Sequence, residues 1–233
     1  MEFEFSVDLL GDLNLEKSDT FDFTGNATSL FCCIAGNISK DPNITKNVLE
    51  HLSSQYRGVF FIDGHEEHIS LKEYDDKIAD LASMCSPIQN VIYLHNHVVV
   101  LNGIAFVGIN GWYTNKSKVE TLEDLLSLEN RRNEDLGYIS TTIKNLQLHG
   151  DVKKIVVISG TIPNENVLYN NADSYTIEGA EPAISLVMDV EHKVTHWLYG
   201  GTEVVSDCYF NKRRFVNNPK LRNQPYYPKR IIV

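Results

Sequence analysis

The chain has 233 residues, 42% of them apolar, which is enough to bury one sizeable core as a single domain over residues 1–233. Its 21 Lys+Arg against 31 Asp+Glu give a net charge of −10, which argues against general nucleic-acid or anionic-membrane binding. No apolar run approaches the ~20 residues that a bilayer-spanning helix needs.

In chain order, Phe3 to Leu10 alternates and then runs apolar, predicting a strand that turns at Gly11-Asp12-Leu13-Asn14. The acidic, alternating start reads as strand and not as a signal peptide, and a cytoplasmic protein is expected. Leu30 to Ala35 is a continuous apolar run suited to a strand covered on both faces. Thr45 is the expected N-cap of a helix through Arg57, ended by Gly58, with Val59 to Ile62 as the next buried strand. Ser70 is expected to cap a helix through Cys85, whose apolar face includes Leu71, Tyr74 and Ile78. This alternation predicts a mainly parallel sheet with crossover helices.

Val91 to Leu94 is the next expected strand, and His97 to Ile109 reads as a hairpin turning at Asn102-Gly103. Glu120 to His149 reads as helix with a break near Gly137, and Lys153 to Ile158 as a buried strand. Beyond it, His196 to Tyr199, Thr202 to Phe210 and Arg214 to Val216 suggest antiparallel strands. Cys32, Cys33, Cys85 and Cys208 lack metal-type spacing and are expected as free thiols.

Five segments stand where strands end. They are Gly11-Asp12-Leu13-Asn14, Ala35-Gly36-Asn37, Asp63-Gly64-His65-Glu66-Glu67, Ser159-Gly160-Thr161-Ile162-Pro163 and Tyr199-Gly200-Gly201-Thr202-Glu203. With Asn110-Gly111-Trp112, Asn217-Asn218-Pro219 and the closing Ile231-Ile232-Val233, this order resembles the calcineurin-like metallophosphoesterase family. The resemblance implies an α/β fold of two stacked mixed sheets flanked by helices. It also implies a site at the carboxyl ends of the strands, where open sheets of this kind carry function.

In that family an Asp-x-His, a Gly-Asp, a Gly-Asn-His-Glu, a His pair and a Gly-His-x-His hold two metal ions. One bridging carboxylate lets the pair polarise phosphate and activate water. Here Asp12 matches, but Asn14 stands for the first His and Asn37 for the bridging Asp. His65 stands for the Asn and Glu66 for the catalytic His, or, with a one-residue deletion, His65-Glu66 take the His-Glu positions and the Asn ligand is lost. Gly160 and Thr161 replace the His pair, and Gly201 and Glu203 replace the last two His. The resemblance therefore implies a degenerate member without a tight binuclear site, acting by binding a protein partner or a small ligand.

A rival reading is a rebuilt manganese or magnesium site drawing on Asp12, Asp63, His65, Glu66 and Glu203. His95-Asn96-His97 is read as structural, at a strand start away from the metal loops, and His65 and His68 as part of an exposed polar loop. From Lys212 onward there are seven Lys/Arg and no Asp/Glu, which leaves 14 basic and all 31 acidic residues, −17, on the remainder. That tail reads first as strand and loop docking on an acidic body. Contact with nucleic acid through Lys212, Arg213, Arg214, Lys220 and Arg222 is the weaker alternative.

Overall fold

The computed structural model describes residues 4–68, 74–112, 114–115, 121–163, 180–181, 189, 191–210, 212–222 and 224–233. Strand and helix alternate through the first part of the chain: β1 (Ser6–Gly11), β2 (Phe31–Ala35), α1 (Pro42–Gln55), β3 (Gly58–Ile62), α2 (Tyr74–Cys85) and β4 (Val91–Tyr93). Then come β5 (His97–Leu101), β6 (Ile104–Ile109), β7 (Thr114–Asn115), the long α3 (Leu122–Leu148) and β8 (Lys154–Ser159). The last strands are β9 (Ala180–Glu181), β10 (Val194–Tyr199), β11 (Ser206–Phe210), β12 (Arg213–Asn217) and β13 (Lys229–Ile232).

They build a five-stranded sheet, β13-β1-β2-β3-β4, and a six-stranded sheet, β11-β12-β10-β8-β6-β5, with β7 and β9 as a separate pair. Strand alternation sorts the core into layers. Val7, Leu9, Cys33, Phe60 and Ile62 meet Phe106, Val156, Ile158 and Leu198 between the sheets. The alternate residues Leu10, Cys32, Ile34, Val59 and Phe61 face Val48, Leu49 and Leu52 of α1 and Leu81 of α2. On the far side, Ile139, Ile143 and Leu146 of α3 cover Val107, Val157 and Trp197. The architecture is thus a four-layer α/β sandwich, and among the described residues no helix is long and apolar enough to cross a membrane.

Local chemistry shifts several expected boundaries. Helix α1 starts at Pro42, because Asp41 is the N-cap and its carboxylate accepts the Asn43 N–H at 2.9 Å. Proline at the first helical position has its φ preset and lacks only a donor that would go unpaired there. Thr45 is not the cap; it is buried inside the first turn, with its hydroxyl donating to the Ser39 carbonyl at 3.3 Å. Gly58 opens β3 and does not close α1. The Asn102-Gly103 turn is where the pattern placed it, both residues in the left-handed region at φ +51° and +79°.

The suggestion of antiparallel strands over 196–216 holds for β11 on β12. Strand β10 runs parallel to both β8 and β12. The long connection across 160–193 permits this, since a parallel return needs a crossover of about a dozen residues or more. The expected cap Ser70, its neighbour Leu71 and Glu120 lie outside the described residues. All four cysteines are free; burial pushes the Cys85 thiol up to about 12, so it stays a thiol at neutral pH.

Helix α3 runs unbroken through Gly137. Leu128, Asp135, Ile139, Ile143 and Leu146 keep one buried stripe in phase across the glycine, so packing overrides its poor propensity. A Cβ at Gly137 would meet nothing within 4 Å, and its φ is not in the left-handed region. Gly137→Ala is therefore expected to raise stability by about 1 kcal/mol, read as a higher urea midpoint at unchanged slope.

Candidate functional site

The loops that follow β1, β2, β3, β4, β6, β8 and β10 converge at the carboxyl ends of the two sheets. Asp12 follows β1 directly and takes a left-handed φ of +47°, which turns its side chain inward, where it is 2% exposed. Its Oδ1 accepts Nδ2 of Asn37 at 2.5 Å and the N–H of Gly201 at 2.8 Å, and its Oδ2 accepts the N–H of Thr202 at 3.3 Å. Burial pushes Asp12 up to about 7, against the pull of these three donors.

Asn37 uses every polar group it has. Besides the bond to Asp12, its Oδ1 accepts the Glu66 N–H at 2.9 Å and its own N–H donates to Glu67 at 3.0 Å. Glu67 clasps the two loops together, also accepting the N–H groups of Ile38 at 2.6 Å, Ser39 at 3.3 Å and Gly64 at 2.7 Å. Burial pushes this carboxyl above its ordinary value, and the backbone donors from Gly64, Ile38 and Asn37 work against that push.

The other loops press in as bare backbone. A Cβ at Gly160 would overlap the Asp63 carbonyl oxygen, and one at Gly200 would overlap the Ala35 carbonyl oxygen. Neither position has room for any side chain. Thr161 is buried, with its hydroxyl donating to the Asn110 carbonyl at 3.0 Å.

A second knot forms around Asp63, which directly follows β3 and has no exposed surface. Its Oδ2 lies 2.6 Å from Nε2 of His68 and accepts Nδ2 of Asn110 at 2.8 Å. Its Oδ1 accepts the Tyr93 hydroxyl at 2.6 Å and lies 3.3 Å from Nδ1 of His95. Burial by itself would push Asp63 up, but the charge of His95 and the hydrogen bonds from both imidazoles hold it well below the usual carboxylate range. Burial likewise pulls His95 down, and the facing Asp63 charge more than offsets it, leaving His95 raised. Asp135 of α3 joins from behind by accepting the Gly111 N–H at 2.7 Å, and burial pushes it up to about 6.

These contacts revise the expectations residue by residue. His95 belongs to the site end of the sheet and not to a remote strand start: β4 stops at Tyr93, and Asn96 at φ +45° turns His97 away to the surface. His68 and Glu67 are buried, whereas His65 is exposed and Glu66 pairs with Lys40 at 3.3 Å. Asn14 is exposed and donates Nδ2 to its neighbour's carbonyl, Asp12 O, at 3.1 Å; Gly201 and Glu203 are exposed too. Among the described residues no group of three or more His, Cys, Asp or Glu side chains is gathered as a metal ion would require.

Sequence reasoning gave Tyr93 and Asn110 no site role, the latter standing only in the resemblance, and passed over Asp135. The first two end or follow strands at the functional end of an open sheet, and Asp135 falls on the buried stripe of α3, so position marked all three. In the basic segment, Arg213 is buried with Asp189 at 3.6 Å, and Arg214 forms a two-pronged pair with Asp207 at 2.8 and 2.9 Å. Lys212 and Arg222 are exposed and Lys220 half-buried, so the five do not share one surface character.

No family model and no curated protein matches this sequence. Among solved structures, the phosphopantetheinyl hydrolase PptH of Mycobacterium tuberculosis matches with a TM-score of 0.66 at 13% identity, covering 98% of this chain and 96% of that one. A Staphylococcus aureus protein described as a 5′-nucleotidase, in complex with alpha-ketoglutarate, matches with a TM-score of 0.53 at 9% identity, over 93% of this chain and 48% of that one. The chain has a phosphoesterase-like fold. At such identities the likeness carries the scaffold and not the chemistry.

The Asp63 knot is expected to be structural in its energetics. Asp63→Asn strips the charge facing His68 and His95 and should cost about 3–5 kcal/mol in urea unfolding at neutral pH. Asp12 acts with the opposite sign. Its folded value of about 7 exceeds the ordinary 3.8, so its contribution to stability is complete below 3.8 and is lost as pH rises through about 7. Asp12→Asn should flatten the stability–pH profile across that window, where the wild type loses up to about 1.4 kcal/mol per pH unit.

Proposed function

We propose that this protein keeps the phosphoesterase scaffold without its two-metal chemistry, and acts by binding a protein partner or a small ligand. The observation that carries this reading is the 2.5 Å bond from Asn37 Nδ2 to Asp12 Oδ1. A carboxylate at position 37 would set one anionic oxygen against another at that distance, an arrangement that needs a proton or a cation between them. The amide brings its own hydrogen, so the two loops close without an ion.

The rest of the donor set supports the same reading. Asp12 is already engaged by three neutral donors. Gly160 offers neither a ligand nor space for one, and the Thr161 hydroxyl is turned to Asn110. His65 and Glu203 are exposed, and Glu66 is paired with Lys40. Manganese or magnesium needs about six oxygen or nitrogen donors in close order. The residues present do not fit a binuclear centre.

Metal analysis of the purified protein, together with phosphomonoester and phosphodiester assays in millimolar manganese, tests the reading. Expected are substoichiometric metal, no turnover above background, and no rise in Tm with manganese or magnesium, since a ligand selective for the folded state must raise it. Stoichiometric metal with turnover that Asp12→Ala abolishes would overturn the proposal.

A further inference from the structure

The end of the molecule opposite the closed loops is open. Where the parallel strands begin, the two sheets part around a cavity of about 1740 Å³. Its wall on the five-stranded sheet is aromatic. Phe5 stacks on Phe31 at 5.3 Å between ring centroids, and Phe31 on Phe60 at 6.1 Å. Val99 and Leu101 of β5, both half-buried, continue the apolar lining across the six-stranded sheet.

That sheet changes character along its length. Its inner face is apolar through Val156, Ile158, Leu198 and Val216. By strand alternation the same face ends, at the cavity, in Lys154 of β8, His196 of β10 and Arg214 of β12. His196 and Arg214 are direct partners across neighbouring strands. Arg57, Lys153 and Arg230 add to the rim, against one acidic lining residue, Glu4. This basic mouth belongs to a chain whose net charge is −10. Among the described residues, Arg57, Lys153, Lys154 and Arg230 form no ion pair with an acidic side chain.

We propose that this cavity binds an amphiphilic anion, its apolar chain along Phe5, Phe31, Phe60, Val99 and Leu101 and its carboxylate or phosphate head at Lys154, His196 and Arg214. A mostly apolar trough with a few polar groups is the usual form of a small-ligand site. Burial pushes His196 down to about 4, with Arg214 and Lys154 adding to the effect, so the imidazole is neutral at pH 7 and the mouth has a positive potential that favours an anion. Arg214 shares its charge with Asp207, which also takes Lys229 at 2.9 Å, leaving Lys154 as the principal charge for the head group.

The inference rests on the ligand-binding half of the reading above and not on the loss of catalysis. Turnover would remove that reading and leave this one standing. The test is a calorimetric titration of the metal-free protein with dodecyl phosphate and with dodecanoate, both below their micellar concentrations, alongside dodecanol, butyl phosphate and inorganic phosphate.

Saturable binding of either dodecyl anion, tighter than that of butyl phosphate and dodecanol, is expected, and the stronger of the two names the head group. Lys154→Glu should weaken it about tenfold, roughly one exposed charge contact, with dodecanol unaffected and the thermal unfolding of the variant as in wild type. Absence of saturable binding, affinity independent of chain length, or affinity indifferent to Lys154→Glu would each overturn the proposal.

Discussion

Asp63 holds a negative charge with no exposed surface, and the ends of three strands are arranged to satisfy it. Taking a carboxylate out of water costs several kcal/mol unless its lone pairs are met by donors and opposite charge. Here the donors come from Tyr93 at the end of β4, His95 just beyond it, Asn110 beyond β6 and His68 in the loop after β3 itself. Because β3 and β4 lie in one sheet and β6 in the other, one charge fixes the spacing of the two sheets at that end. Asp135 extends the constraint to α3 through Gly111, and the Trp112 ring stands edge-on to His68 at 5.1 Å.

With the sheet ends so fixed, the remaining loops have little space, and the sequence fills it with backbone. Glycines at 160 and 200 let one loop touch another where any Cβ would collide. Glu67 and Asn37 then satisfy the amide groups that such close contact would leave unpaired. The result is a carboxyl end closed by neutral hydrogen bonds and buried acids. The amino end is the reverse, with sheets held apart and cations on the inner face.

Much of the scaffold was legible in the sequence because the signals are local. Continuous apolar runs located β2, β3 and β8, and Asn102-Gly103 fixed the β5–β6 hairpin. Asp41-Pro42, also a local signal, is a stronger helix start than Thr45. Other errors had no local remedy. Gly137 looks like a break until the buried stripe of α3 is seen packed on β6 and β8. Glu67 and His68 look like a solvated acidic loop, because hydrophilic residues read as exposed unless their partners are known. His95 and His97 look like one face of a strand, and only the turn at Asn96 separates them.

The sequence by itself determined which segments form strands and helices and where the tight turns fall. Those properties depend on neighbours a few positions apart, or on residue type alone. Only the tertiary structure decided that Asp12 is capped by Asn37 and Gly201, and that Asp63 gathers its partners from both sheets. It alone decided that Lys154, His196 and Arg214 share one mouth. The physical reason is distance along the chain: Asp12 and Gly201 are 189 residues apart, Asp63 and Asn110 are 47 apart. Such pairs meet only once sheet order and register are set, and the packing of the whole sandwich sets them.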